Sequence, residues 1–157
     1  LSSQTDLICA MAATDKVINI KKAQFLAPEE MAYIIEKFES LDNKKLILCE
    51  RGSIFGYKNL IVDMLGFSVM KNFQYPIIFD VTHSLQLTNQ ENGITLGKPK
   101  YIETLAKAAI ASGVDGIFIE THPNPAAAKS DPFTMLKLDL LRPILEKAMK
   151  IRTALGQ

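Results

Sequence analysis

Both histidines of this 157-residue chain, His83 and His122, stand just past short apolar runs and beside carboxylates. His83 follows Ile77-Ile78-Phe79 and the polar residues Asp80 and Thr82. His122 follows Gly116–Ile119 and Glu120, and Asp131 comes eleven residues after that glutamate. One imidazole with two carboxylates, His83 with Glu120 and Asp131, can orient water and shuttle its proton, or hold a divalent metal with open positions. A satisfied hydrogen-bond network at a strand end would use the same residue types. His122, directly before Pro123, reads as a structural loop residue. A second set is cationic. Lys21 and Lys22 follow VINI, and Arg51 follows LILC and Glu50. These groups suit a phosphate or carboxylate at a common mouth, with arginine able to bind in a fork. Gly52 and Gly56 would let backbone approach an anion, but no GK[ST] follows, so this is not a P-loop.

Positioning these groups requires strands that stop where the polar residues begin, because an unpaired buried polar group costs about 1–3 kcal/mol. The apolar runs Val17–Ile20, Leu46–Cys49, Ile77–Phe79 and Gly116–Ile119 read as buried strands. Helical spacing appears over Thr5–Ala13, with Ser3 or Thr5 as its cap, and from Pro28 through Phe38. It recurs near Leu60–Lys71, over Tyr101–Ala111 closed by Ser112-Gly113, and over Lys137–Leu155, where Pro143 marks a kink or a first turn. Short apolar strands alternating with helices imply parallel pairing with helical crossovers. All four strands end in charged or titratable groups, which favours a barrel, where every strand end meets one site, over an open doubly wound sheet. A complete barrel needs about 250 residues. The expectation is therefore an α/β chain forming the second half of a (β/α)8 TIM barrel, strands 5–8, as a single domain over residues 1–157.

Bulk composition sets limits. With 48% hydrophobic residues, 18 basic and 17 acidic side chains, and a net charge of +1, the chain is of ordinary globular type. No basic excess suggests a nucleic-acid or membrane surface. No apolar run reaches the ~20 residues of a membrane span. Cys9 and Cys49 are not closely spaced and read as buried free thiols in a reducing compartment, so the expected home is the cytoplasm.

The segments NIKKAQF, CERGSIFGYKNLIVDMLGFSVMK, IIFDVTHSLQ and GIFIETHPNPAAAKSD resemble the 3-deoxy-D-manno-octulosonate 8-phosphate synthases, also called 2-dehydro-3-deoxyphosphooctonate aldolases. The resemblance runs over nearly the whole chain. It implies a barrel about twice this length, usually tetrameric, which joins phosphoenolpyruvate to arabinose 5-phosphate in lipopolysaccharide precursor synthesis. It implies Lys21, Gln24 and Arg51 as phosphoenolpyruvate ligands. It implies His83, Glu120 and Asp131 as the place where a water, or a metal in some members, sits beside the reacting carbons. The cofactor is then none or one divalent metal ion. MLGFSVMK resembles the metal-independent members, while THS and Ser130-Asp131 resemble the others. Three positions depart from the family pattern: Ser3 replaces an arginine before QTDL, ITLGKPK replaces a Ser-Gly-Gly loop, and Pro132 follows Asp131. Two rival readings stand beside this one. A DAHP synthase, using erythrose 4-phosphate, would carry Lys-Arg in place of Lys21-Lys22. An inactive half-barrel would self-associate through its open sheet edges.

Overall fold

The computed structural model describes residues 3–55, 58–87 and 96–156. Its elements run α1 (Thr5–Ala12), β1 (Ile18–Lys21), α2 (Ala32–Glu39), β2 (Leu46–Glu50), β3 (Ser53–Ile54), β4 (Leu60–Ile61), α3 (Met64–Lys71), β5 (Ile77–Asp80), α4 (Ile102–Ala111), β6 (Gly116–Phe118), β7 (Thr121–His122), β8 (Leu136–Lys137) and α5 (Leu141–Ala154). β1, β2, β5 and β6 form one parallel sheet in that order. β3–β4 is an antiparallel pair and β7–β8 a parallel one. Strand order therefore follows chain order with no reversal. A doubly wound sheet reverses its order at a switch point, and this one does not. Among the described residues the sheet stays open, with β1 and β6 at its edges.

Alternation sorts the strand side chains. Ile20, Leu48, Ile77 and Phe79 point into the hydrophobic core with Phe38, Phe67, Met70, Ile102 and Ala106 from the helices. Paired register sets Ile20 beside Leu48 and Leu48 beside Ile77 on this face. Lys21, Cys49, Ile78, Asp80 and Phe118 take the opposite face, since successive side chains of a strand alternate. Phe67 and Phe79 meet edge to face, ring centroids 5.5 Å apart.

Local readings needed four corrections. The helix expected from Leu60 begins only at Met64, capped by Asp63 accepting from the Leu65 N–H at 2.9 Å; Leu60-Ile61 instead pairs with Ser53-Ile54. The last helix starts at Leu141 after a 3₁₀ turn over Leu138–Leu140, so Pro143 sits in its first turn and breaks no hydrogen bond. Neither Ser3 nor Thr5 caps α1; Gln4 occupies that position without a side-chain bond. The last strand of the sheet stops at Phe118, and Thr121-His122 pairs separately with Leu136-Lys137. Gly56 and most of the Thr88–Lys100 loop, Ile94 and Thr95 included, lie outside the described residues. Among the described residues, no helix is long and apolar enough to cross a membrane.

Both cysteines are free; Cys49 is fully buried and Cys9 half-buried. Burial, reinforced by the charge of Asp80, pushes the Cys49 thiol up to about 12. Thiolate is the reactive form. Iodoacetamide at neutral pH is therefore expected to alkylate Cys9 in the folded chain and Cys49 only after denaturation. Peptide mapping of the native reaction would refute this by finding Cys49 modified.

Candidate active site

Alternation has its largest consequence at the carboxyl ends of the strands. Lys21 and Lys22 are neighbours in sequence but leave β1 on opposite faces. Lys22 shares the parity of Ile20 and turns into the helix side, where it is 1% exposed. Its Nζ donates to Leu26 O and Ser53 Oγ, both at 2.9 Å, and lies 3.6 Å from Glu50 Oε2. Glu50 shares the parity of Leu48, and its Oε1 accepts from the N–H groups of Arg51 and Gly52. Gly52 has φ +89°, the left-handed backbone that aims its N–H back at this carboxylate. The expectation that Lys22 and Gly52 face an anion at the mouth is thus corrected: both are used inside the protein.

The other face carries a connected polar cluster. Asp80, fully buried at the end of β5, accepts from Lys21 Nζ at 2.5 Å and from His83 Nδ1 at 2.8 Å, both on Oδ2, while its Oδ1 accepts from the His83 N–H at 3.0 Å. Burial alone would raise this carboxyl's pKa; hydrogen bonds from the His83 ring and backbone and from Lys21 outweigh it and hold the group below the usual carboxylate range. Lys21 also lies over the Phe118 ring, 4.2 Å from its centroid. A 3₁₀ turn over His83–Leu85 directs the His83 ring outward, with Nε2 3.4 Å from Glu120 Oε2. That oxygen is buried and, among the described residues, makes no hydrogen bond. The buried Thr82 hydroxyl accepts from the Glu120 N–H at 2.9 Å, fixing where the glutamate leaves the backbone.

Asp131 returns to the same place. It takes φ +47°, and its carbonyl accepts from Thr134 N at 3.0 Å and Thr134 Oγ1 at 3.0 Å, closing the loop that carries it. Pro132 does not move it away. His83, Glu120 and Asp131 bring one ligand atom each within 4.8 Å of one another. This donor set of one imidazole and two carboxylates, with an unpaired buried carboxylate oxygen, suits a divalent metal. Gln86 links the set to the cation. It accepts from Arg51 Nη2 at 2.7 Å and donates to Asp131 Oδ1 at 3.3 Å. Among the described residues Arg51 Nη1 is buried without a hydrogen-bond partner, and burial lowers the guanidinium pKa from its ordinary value against the pull of Asp80.

Five of the six expected site residues therefore meet: Lys21, Arg51, His83, Glu120 and Asp131. Gln24 does not join them. It lines an adjoining cleft with Phe55 and Asp63, and among the described residues no hydrogen bond ties its side chain to the cluster. His122 closes a turn, its Nδ1 3.0 Å from Asn124 N. Sequence reasoning marked Asp80 as a titratable strand end without giving it a site role, and passed over Gln86. The signals were there: an aspartate three residues before His83 suits a bond to that histidine's N–H, and a glutamine three residues after it follows one short turn.

A sequence model described as "DAHP synthetase I family" matches residues 1–156. The chain belongs to that family. Curated relatives carry a more specific name. A protein of Pseudomonas putida (strain GB-1) is 53% identical over 151 residues, 96% of this chain and 54% of that protein. One of Azotobacter vinelandii (strain DJ / ATCC BAA-1303) is likewise 53% identical over 151 residues, with the same coverage. One of Pseudomonas savastanoi pv. phaseolicola (strain 1448A / Race 6) is 57% identical over 145 residues, 92% of this chain and 52% of that protein. Each is named 2-dehydro-3-deoxyphosphooctonate aldolase. This member of the DAHP synthetase I family spans about half the length of the curated relatives it matches.

Proposed function

We propose that the chain is the second half of a (β/α)8-barrel synthase that joins phosphoenolpyruvate to arabinose 5-phosphate. The products are 3-deoxy-D-manno-octulosonate 8-phosphate, a lipopolysaccharide precursor, and inorganic phosphate. Strand order without reversal supports the barrel arc. The names of the relatives support the octulosonate reaction over its erythrose 4-phosphate rival. One observation carries the reading: Gln86 bridges the Arg51 guanidinium to Asp131, which is grouped with His83 and Glu120. An anionic enol phosphate and the water that attacks it need those two kinds of group side by side.

The chemistry follows from the roles. C3 of phosphoenolpyruvate attacks the aldehyde carbon, a C–C bond forms, and the aldehyde oxygen takes a proton. Water adds to the electron-poor C2, and the bond from C2 to the phosphate oxygen breaks. Arg51 binds the anionic end with its free edge. Lys21 offers N–H donors, its charge already balanced by Asp80. His83 and Glu120 orient the water and accept its proton. A divalent metal, when bound by His83, Glu120 and Asp131, would polarise the aldehyde or hold substrate hydroxyls. Gln24 is kept as a phosphoenolpyruvate ligand on the resemblance of its segment alone.

The active protein is a cytoplasmic homo-oligomer, a tetramer, in this proposal. Exposed Phe25, Phe55 and Leu65 support burial against another chain. The test is phosphate release from phosphoenolpyruvate by the protein isolated from its source cells. Release is expected with arabinose 5-phosphate and not with erythrose 4-phosphate. The reverse preference, or no release with either sugar, would overturn the reading.

A further inference from the structure

Asp80 is the one fully buried carboxylate of the cluster, and the roles above leave it unassigned. Both its oxygens accept: Oδ1 from the His83 N–H, Oδ2 from His83 Nδ1 and from Lys21 Nζ. Backbone and ring of His83 are therefore gripped by the same carboxylate. An ionised carboxylate only accepts hydrogen bonds. The ring nitrogen facing it must carry the proton, so a neutral His83 keeps its hydrogen on Nδ1 and a lone pair on Nε2. Nε2 lies 3.4 Å from Glu120 Oε2, and among the described residues Oε2 is itself a buried acceptor with no hydrogen bond. Two acceptors at that separation repel unless they share something electron-poor: the hydrogen of a water, a substrate hydroxyl or a cation. A histidine that ligates or accepts through one nitrogen commonly donates its other N–H to a carboxylate.

We propose that Asp80 is the positioning residue of this site. It locks His83 in the Nδ1–H tautomer and so aims the Nε2 lone pair at the space shared with Glu120 and Asp131. Lys21 shares Oδ2 of Asp80 with the His83 ring and ties that carboxylate to β1. The proposal deepens the functional reading and rests on His83 as the group facing the reacting atoms, but its test needs no turnover.

The experiment is ¹⁵N NMR of the imidazoles in the substrate-free chain, labelled at histidine. His122→Gln assigns the two rings, since His83 and His122 are the only histidines. Spectra are recorded at about pH 9, well above the ordinary imidazole value of ~6.5. Wild type is expected to show His83 protonated at Nδ1 and bare at Nε2 by about tenfold or more, the size of one charge-assisted hydrogen bond. In Asp80→Asn, the carbonyl can still accept from the His83 N–H while the NH₂ faces Nδ1. The proton should then move to Nε2, inverting the ratio. Three outcomes would overturn the proposal: a wild-type ring protonated at Nε2, a ring doubly protonated at this pH, or a folded Asp80→Asn variant with the tautomer unchanged. If Asp80→Asn does not fold, the wild-type spectrum decides by itself. A protein that passes this test but releases no phosphate would sink the synthase reading and leave Asp80's role standing; the opposite pair of results would do the reverse.

Discussion

Arg51→Met is expected to lower phosphate release in the active protein by about 10²–10³-fold, the usual effect of removing one preorganised charge donor from a reacting oxyanion. The position is unusually well fixed. Arg51 leaves the end of β2 with its backbone N–H held by Glu50 Oε1 at 2.8 Å and its Nη2 held by Gln86 at 2.7 Å. Nη1 is buried and, among the described residues, has no hydrogen-bond partner. Leaving a buried guanidinium nitrogen unpaired costs free energy that a bound anion restores. Arg51→Lys should recover only part of the rate, because an ammonium carries the charge without the planar fork. Methionine keeps much of the side chain's bulk, so thermal unfolding of this variant should stay close to wild type. Rates within threefold of wild type for Arg51→Met would show that the guanidinium serves packing and not substrate.

Glu50→Ala is expected to destabilise the chain by about 3–5 kcal/mol, the cost of stranding one partner of a buried ion pair. The carboxylate is 3% exposed and the Lys22 that faces it is 1% exposed. Removing Glu50 also leaves the N–H groups of Arg51 and Gly52 without their acceptor. Lys22 would keep its bonds to Leu26 O and Ser53 Oγ but lose its counter-charge. Pairing the change with Lys22→Met should restore part of the loss, since no buried charge is then left without its partner. The exposed pair Lys45–Asp15, 2.7 Å apart, supplies the contrast. Asp15→Ala there should change stability by less than about 1 kcal/mol. Urea unfolding of the three variants beside the wild type measures all of this; a Glu50→Ala midpoint equal to that of Asp15→Ala would refute the account.

Much of this arrangement was legible in the residues. The four apolar runs became the four strands of the parallel sheet, because a short β-rich run bounded by polar residues has few other ways to bury itself. Gly113, at φ +86°, closes α4 as the Ser112-Gly113 pair suggested. Where the reading failed, it failed at short elements. Leu60-Ile61 has the composition of a helix start, yet a two-residue pairing with Ser53-Ile54 claimed it. Such a pairing is set by a neighbour several residues away and leaves no periodicity of its own.

The amino-acid sequence by itself determined, to within one residue, where each strand of the sheet stops and which residue types stand at its carboxyl end. A buried strand tolerates no unpaired polar group, so the change from apolar to polar marks the end of the strand. Alternation along the backbone, also written in the sequence, sends Lys21 and Arg51 to one face and Lys22 and Glu50 to the other. The tertiary structure alone decided which of these groups meet. Lys21 reaches Asp80 across 59 positions of chain, and Gln86 reaches Asp131 across 45. Those contacts depend on the lateral order of the strands and on the path of the loop that turns at Asp131. Packing of the whole chain sets both, and no local pattern of residues encodes either.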